Sequence, residues 1–255
     1  MERTRPITLH RCGPNGCVEI SDLVAVEEPL EIRLDGHPVA VVMRTPGDDE
    51  DLVTGFLITE GIISSVTDLR KTEVRPEENR VLAFLHDGVD VDLGKLTRHV
   101  FSGSSCGICG KATLEAIFTA FPPIEKKLEV QDHVLLAAPD VLRASQSAFD
   151  TTGGLHAAGL FSAHGELLVL REDIGRHNAV DKVIGHALRN GWNPGEMFLL
   201  VSGRVSFEIL QKALAARIPM IAAISAPSSL AVEFAKNSGQ SLIGFLRPPV
   251  FNRYA

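Results

Sequence analysis

Cysteine is scarce in this sequence: the 255 residues include only four, at positions 12, 17, 106 and 109. A chain this long with so few cysteines is not a disulfide-stabilised scaffold, because such scaffolds are short and rich in cysteine. Long apolar runs are absent too, and none reaches the roughly 20 residues that a membrane span requires. The first ten residues contain two arginines but no apolar core, so they do not read as a secretory signal. These features predict a cytoplasmic protein that does not associate with membranes.

Basic residues are also fewer than acidic ones. Lys and Arg total 25 against 32 Asp and Glu, which gives a formal net charge of −7 at pH 7. Broad nucleic-acid binding depends on basic residues that neutralise phosphates, so we expect no DNA partner. The length allows one large domain or two smaller ones.

Three segments are predicted from the pattern of apolar residues and turns. Residues 1–20 are predicted to be a flexible leader, 21–101 a small α+β subdomain, and 102–255 a second subdomain. An Asp35-Gly36 turn between two alternating runs is a strong hairpin signal in the first subdomain. The elements predicted there are strands at 24–26, 31–34, 39–43, 66–74 and 81–85 and a helix at 49–60.

Strand and helix alternate in the second subdomain. Short apolar strands separated by amphipathic helices indicate a parallel or mixed sheet that is covered on both faces, and therefore an α/β fold. A helix at 140–148 is predicted to lead into the segment 151–159. The strands predicted after it are at 166–170, 197–201, 220–225 and 241–246, and the helices are at 179–190, 206–217 and 228–237.

Cys106 and Cys109 form a C-x-x-C pair among glycines and serines, directly ahead of a helix predicted from Ala112. A helix N-terminus offers unpaired N–H groups and the positive end of the helix dipole, and Lys111 adds a positive charge. Both effects favour the thiolate, which is the form of cysteine that attacks sulfur or binds metal. The pair therefore predicts sulfur chemistry or metal chemistry.

Several interpretations of this pair are open from the residues alone. Two incidental loop cysteines would not need the glycines on either side, which let a backbone approach a partner closely. A thioredoxin-like pair fits poorly, because the motif does not open an N-terminal βαβ unit. Structural zinc is a stronger rival, since Cys12 and Cys17 would complete a four-thiolate site, although both lie in the predicted leader.

Arginines beside glycines mark two of the predicted strand-to-helix junctions. Arg176 and His177 follow Gly175, and Arg204 follows Gly203. In open α/β sheets, ligands bind at the carboxyl ends of strands, where helix N-termini favour anions, and arginine fits phosphate bidentately. The junctions thus predict an anionic ligand. The plainer alternative is that Asp173 or Asp181 simply holds Arg176 or His177 in place.

His156 is predicted to lie at the entry of an apolar helix. A single histidine in that position is usually a hydrogen-bonded core residue. Beside a thiolate site it would instead donate a proton or bind an anionic ligand.

Several motifs in order resemble the FdhD family of formate dehydrogenase accessory sulfurtransferases. They cover most of the chain, from about Val24 to Tyr254, and together are more specific than any one alone. The motifs lie at 54–61, 104–111, 152–158, 172–182 and 202–204, and in the C-terminal stretch 244–254.

The resemblance implies a fold and a chemistry. The fold is a cytidine-deaminase-like three-layer subdomain preceded by a smaller mixed α+β subdomain. A cysteine desulfurase would give sulfane sulfur to Cys106, which carries it as a persulfide, with Cys109 resolving or assisting. The acceptor would be the molybdenum cofactor in its bis-molybdopterin guanine dinucleotide form, sulfurated before insertion into formate dehydrogenase, and a homodimer is expected. The guanine-dinucleotide pocket implied in the last strand and beyond consists of Phe245, Leu246, Arg247, Pro248, Pro249 and Val250.

The sequence departs from zinc deaminases at the residues that carry deamination. Those enzymes use an H-x-E motif with a glutamate as general acid and base, and P-C-x-x-C for the metal. Here Ala158 stands where the glutamate would be, and Ser105 precedes Cys106 in place of proline. The cysteines also precede the histidine, which reverses the deaminase order. Deaminase activity and a catalytic metal are therefore not expected.

Two rivals to the sulfur carrier stay open. One is a zinc-stabilised nucleotide-binding module that has no transfer chemistry. The other is a chaperone that only binds the cofactor and inserts it.

Overall fold

The computed structural model describes residues 2–91 and 117–255. It contains three β-sheets: a two-stranded hairpin, a four-stranded sheet and a six-stranded sheet. The C-x-x-C pair, the start of the helix predicted from Ala112 and the boundary predicted between 101 and 102 lie outside the described residues.

A long β-hairpin replaces the predicted flexible leader over 1–20. Strands β1 (Thr4–Gly13) and β2 (Gly16–Ala25) pair antiparallel along their full length. Most of their side chains are exposed on both faces. The sequence therefore lacks the apolar–polar alternation by which a half-buried strand is recognised, and the prediction of a leader was wrong for this reason.

The four-stranded sheet forms the small α+β unit. Its strands are β3 (Glu28–Leu34), β4 (His37–Arg44), β5 (Leu69–Arg75) and β6 (Arg80–Leu85), in the order β4-β3-β6-β5. Helix α1 (Asp49–Thr59) packs on the sheet through Leu52, Val53 and Leu57, which are fully buried. The predicted hairpin around Asp35-Gly36 and the predicted helix are confirmed.

The six-stranded mixed sheet forms the centre of the larger unit, with the order β12-β11-β10-β9-β7-β8. Buried apolar clusters lie on both of its faces, which gives three layers. The α/β fold class is thus confirmed. The strands are β7 (His156–Ser162), β8 (Leu167–Asp173), β9 (Met197–Val201), β10 (Met220–Ala223), β11 (Ser241–Arg247) and β12 (Val250–Arg253), and the helices are α2 (Asp132–Ala144), α3 (Ser147–Thr152), α4 (Arg176–Arg189), α5 (Phe207–Ala215) and α6 (Ser229–Ser238).

Two predictions within this unit were wrong, and one strand was not predicted. The helix predicted at 140–148 is two helices, α2 and α3, separated at Ser145 and Gln146. His156 does not enter a helix but begins strand β7, whose small and apolar residues are compatible with either element. The final strand β12 was not predicted, because the two prolines before it read as a break.

Helices α1 and α4 join the two units by backbone contact. A Cβ atom added to Gly55 would lie 1.9 Å from the carbonyl oxygen of Asp181, and one added to Gly185 would lie 1.9 Å from that of Asp51. Only glycine permits so close an approach. Among the residues that the structure describes, no helix combines the length and the apolar run of a membrane span.

Candidate functional site

One edge of the six-stranded sheet collects the loops predicted to bind a ligand. Strand β8 pairs antiparallel with β7, and β7 pairs antiparallel with β9, so β8 runs parallel to β9. Strands β10 and β11 are parallel to β9 as well. The carboxyl ends of these four strands therefore share one edge, which is where ligands bind in open α/β sheets. We call this edge, with the loops that follow the four strands, the ligand edge.

Backbone hydrogen bonds connect the neighbouring loops of the ligand edge. The Ser202 N–H donates to the carbonyl oxygen of Ala157 (3.0 Å), and Ser202 Oγ accepts from the Ala157 N–H (2.9 Å). The Ile224 N–H donates to Val201 (3.1 Å), and the Phe245 N–H donates to Ser225 (3.0 Å). Each loop is thus held by the loop or strand beside it.

Arg176 lies at the first turn of α4, directly after Gly175. The N-cap residue of this helix, Gly175, has no side chain to accept from the first N–H groups, which point towards the ligand edge. The Nε atom of Arg176 is buried and finds no hydrogen-bond partner among the described residues. A buried guanidinium donor without an acceptor is costly, and an anion at this edge would remove that cost.

His156 lies beside Arg176 at the start of β7. A Cβ atom added to Gly203 would be 3.2 Å from Nδ1 of His156 and 4.0 Å from Cδ of Arg176, so Gly203 leaves the space in which the two side chains meet. Burial, and then the charge of Arg176, lower the pKa of His156, while Asp173 opposes the shift. The imidazole is therefore neutral near pH 7, and it offers one donor and one acceptor nitrogen.

His177 contacts two residues of the next helix. Its Nε2 is 3.3 Å from Ser206 Oγ and 3.2 Å from Glu208 Oε2, and Ser206 Oγ donates to Glu208 (2.9 Å). Burial and the charge of Arg176 lower the pKa of His177 to about 4, although Glu208 acts in the opposite direction. A neutral His177 donates its Nε2–H to these oxygens. Ser206 also precedes α5, whose N-terminus has no side-chain cap.

Asp173 anchors the α4 terminus to the smaller unit. It forms a fully buried ion pair with Lys182 (2.7 Å), and it accepts from the Thr45 N–H (3.2 Å) and the Gly175 N–H (2.8 Å). Asn178 Nδ2 donates to Asp173 (2.9 Å) and to the carbonyl oxygen of Met43 (2.7 Å).

Asp181 of α4 accepts hydrogen bonds from two other residues. It accepts from Thr59 Oγ1 (2.8 Å) and from Lys212 Nζ (2.9 Å). The alternative that Asp173 or Asp181 holds Arg176 or His177 is therefore not what the structure shows: the hydrogen bonds of both carboxylates go elsewhere.

Arg204 is exposed at the ligand edge, and so are most of the predicted pocket residues, namely Phe245, Arg247, Pro248, Pro249 and Val250. Arg247 Nε donates to the carbonyl oxygen of Ile224 (3.0 Å), and Phe245 has a left-handed backbone (φ 50°) with an exposed ring. Pro248 and Pro249 form a turn ahead of Val250, which is 65% exposed. Leu246 differs: it is fully buried in the core on the α2 side of the sheet, so its side chain does not face a ligand.

Cys12 and Cys17 are joined in a disulfide across the hairpin. Their sulfurs are therefore bonded to each other and are not thiolates available to a metal. The four-cysteine zinc site, which needs both of them free, is not the arrangement in this structure.

The motif resemblance is supported by a direct family match. Residues 25–255 match the model of the FdhD/NarQ family. The chain belongs to the FdhD/NarQ family.

Curated relatives of this FdhD/NarQ member extend over nearly its whole length. The protein from Nocardia farcinica is 47% identical over 96% of this chain and 90% of its own, and that from Mycobacterium tuberculosis is 49% identical over 91% and 90%. Both are named sulfur carrier protein FdhD. A crystal structure from Desulfotalea psychrophila, described as a formate dehydrogenase accessory protein, has a TM-score of 0.81 and 26% identity over 99% of this chain and 97% of its own.

Three residues at the ligand edge were missed by sequence reasoning. Ser206 and Glu208 contact His177, and Asn178 bridges Asp173 to β4. A polar residue in the first turn of a helix at this edge was the available signal, since such side chains face the strand ends. Which of them meet across two helices depends on the packing, and no local pattern reports that.

Proposed function

We propose that this FdhD/NarQ protein is a sulfur carrier that holds sulfane sulfur as a persulfide on Cys106. The observation that carries this proposal is the full-length similarity to relatives named sulfur carrier proteins, in a chain that keeps a C-x-x-C pair among glycines. The donor is a cysteine desulfurase, and the recipient of the finished cofactor is formate dehydrogenase.

Loading of Cys106 is a thiol exchange on sulfur. The Cys106 thiolate attacks the terminal sulfur of the donor's persulfide, a new S–S bond forms, and the donor cysteine leaves as a thiolate with the electron pair of the broken bond. The rate of such an exchange depends on thiolate character and on access to the attacked sulfur. The glycine-rich sequence ahead of the helix predicted from Ala112 serves both needs.

Release uses the second cysteine of the pair. The Cys109 thiolate attacks Sγ of Cys106, the bond to the terminal sulfur breaks, and hydrosulfide leaves with the bonding electron pair. A Cys106–Cys109 disulfide remains, so the two electrons come from the two cysteines and a thiol reductant must restore them.

The acceptor in this proposal is the molybdenum cofactor in its bis-molybdopterin guanine dinucleotide form, bound as substrate at the ligand edge. The edge fits a ligand with several phosphates. The N-cap residues of two helices there, Gly175 and Ser206, make no side-chain capping hydrogen bond, and the buried Nε of Arg176 has no acceptor among the described residues. Helix N-termini and arginines are the groups that bind phosphate oxygens. His156, His177, Arg204 and Arg247 line the same edge, and Phe245 offers an exposed ring for a base.

The decisive experiment is intact-mass measurement after incubation with a cysteine desulfurase and cysteine. Wild type should gain the mass of sulfur until Cys109 releases it as hydrosulfide, and peptide mapping should place it in the tryptic peptide 99–111, which contains Cys106 and Cys109. Cys106→Ala should gain none there, whereas Cys109→Ala should load Cys106 and fail to release hydrosulfide. The matched control Cys12→Ala should load Cys106 as wild type does. The carrier is ruled out if Cys109→Ala, which cannot release hydrosulfide in this way, gains no sulfur on Cys106.

A further inference from the structure

The closed end of the hairpin places two cysteines opposite each other. Cys12 of β1 and Cys17 of β2 are cross-strand partners in the antiparallel register, their Cα atoms are 4.0 Å apart, and their sulfurs form a disulfide. Residues 14–15 make the turn between them. The pairing follows from the register, so the two sulfurs stay neighbours whether or not the bond is present.

This disulfide is open to solvent. Both cysteines are exposed, as are nearly all the residues around them in the two strands. Within the described part of the chain the hairpin is a sheet of its own, and its contacts with helices are mainly between β2 and α3. A thiolate can therefore approach either sulfur along the line of the S–S bond without any unfolding of the cores.

The carrier function proposed above does not involve the hairpin. The family match begins at residue 25, which is the last residue of β2. The sulfur exchange proposed for Cys106 and Cys109 makes no use of Cys12 or Cys17. Their pairing is a property of this chain that the family assignment does not explain.

We propose that Cys12 and Cys17 form a second sulfur-exchange site, a reversible thiol–disulfide couple that dithiol reductants open in the folded protein. Exposed disulfides are the ones that take part in redox exchange, whereas structural disulfides in protected positions resist reduction. The proposal stands independently of the persulfide on Cys106.

The exchange balances with a dithiol as co-reactant. One thiolate of the reductant attacks Sγ of Cys12 or Cys17, and the other cysteine leaves as a thiolate. The second thiolate of the reductant then attacks the mixed disulfide and releases the first cysteine. Two electrons and two protons pass to the protein, and the reductant becomes a disulfide. The reverse reaction is favoured by the strand register, which keeps the two thiols within reach.

The test uses the full-length wild-type protein in buffers of reduced and oxidised dithiothreitol at a series of ratios. After equilibration the samples are acid-quenched, alkylated and digested with trypsin under denaturing conditions. Both cysteines fall in one tryptic peptide, 12–33, separate from the peptide 99–111. We expect peptide 12–33 to carry either no label or two labels, with a single transition that reaches the same midpoint from both directions.

Two controls make the result decisive. Cys12→Ser should leave one labelled cysteine at every ratio, because no partner remains for Cys17. Circular dichroism of the reduced wild-type protein should retain the native spectrum, which shows that reduction occurs in the folded state. The proposal is overturned if the pair stays labelled at the most oxidising ratio, or if it resists dithiothreitol until urea unfolds the protein.

Discussion

Arg176 is the residue on which the chemistry of the ligand edge depends most. Its Nε is buried without an acceptor among the described residues, and its charge contributes to the lowered pKa values of both His156 and His177. The two imidazoles are therefore neutral beside a permanent cation. An anionic ligand would supply the missing acceptor and would also weaken the effect that keeps the histidines neutral.

Removal of Arg176 should weaken the binding of a guanine nucleotide. A hydrogen bond to a charged group contributes about 1.5–3 kcal/mol, so Arg176→Ala should raise the Kd for GDP by at least roughly tenfold, as measured by isothermal titration calorimetry. The Kd of Arg176→Lys should lie between those of wild type and Arg176→Ala, because lysine keeps the charge but lacks the planar guanidinium. Arg143→Ala, at an exposed position of α2, is the matched control and should leave the Kd unchanged. Equal affinity in Arg176→Ala would remove this residue from the nucleotide site.

At the scale of the element, the contact between α1 and α4 does not tolerate an added side chain. The two helices meet at Gly55 and Gly185, each of which faces a backbone carbonyl oxygen of the other helix. A side chain there cannot be accommodated by a rotamer change, since the neighbouring atom is backbone. The helices themselves would have to separate.

Gly55→Ala should therefore destabilise the protein despite the better helix propensity of alanine. Propensity alone would stabilise the helix by up to about 1 kcal/mol, but overpacking against backbone, at the upper end of its usual cost of about 1–3 kcal/mol, should outweigh it and leave a net loss of about 2 kcal/mol. Urea denaturation followed by circular dichroism measures the difference. Gly13→Ala is the control, because nothing lies within 4 Å of its added Cβ. A stabilised Gly55→Ala protein would show that the helices are farther apart than described.

The elements predicted well from sequence are those whose burial is one-sided or complete. Strand β9 was predicted with its observed bounds, and α6 within one residue, because buried apolar runs and helical periodicity are local signals. The hairpin of β1 and β2 was missed because both of its faces are exposed to solvent. The ligand edge followed from strand order and loop composition, whereas the Asp173–Lys182 pair and the Glu208–His177 contact depend on tertiary packing.

At the scale of the whole molecule, a cluster of charges joins the two units around Asp51. This buried carboxylate of α1 accepts from Arg171 of β8 (2.8 Å) and from Arg189 of α4 (2.6 Å), and it lies 3.1 Å from His186 Nδ1. Burial alone would raise the pKa of Asp51, but the hydrogen bonds from the two arginines outweigh it and lower the pKa below 3.8. The folded state therefore binds fewer protons here than the unfolded state does.

Asp51→Asn should lower stability in a pH-dependent way. A carboxylate with a lowered pKa stabilises the fold above its unfolded pKa, near 3.8, and this contribution is lost as the pH falls through the folded value. We expect a loss of about 2 kcal/mol at pH 7, with the gap between variant and wild type narrowing below pH 4. Guanidinium denaturation of the two proteins at pH 7 and at a pH below 4 measures this difference in stability. The exposed Asp150→Asn should change stability by less than about 0.5 kcal/mol, and a gap that widens in acid would contradict the assignment.

The hydrogen bonds between successive loops of the ligand edge make loop length a constrained quantity. Because Ser202 is fixed to Ala157, Ile224 to Val201 and Phe245 to Ser225, one residue inserted into any of these loops would shift the acceptor that its neighbour uses. The turn at 14–15, by contrast, closes an exposed hairpin that no other strand of the described chain joins. A residue inserted in the hairpin turn should therefore leave the loops of the ligand edge unchanged, and it would alter the spacing of Cys12 and Cys17 instead.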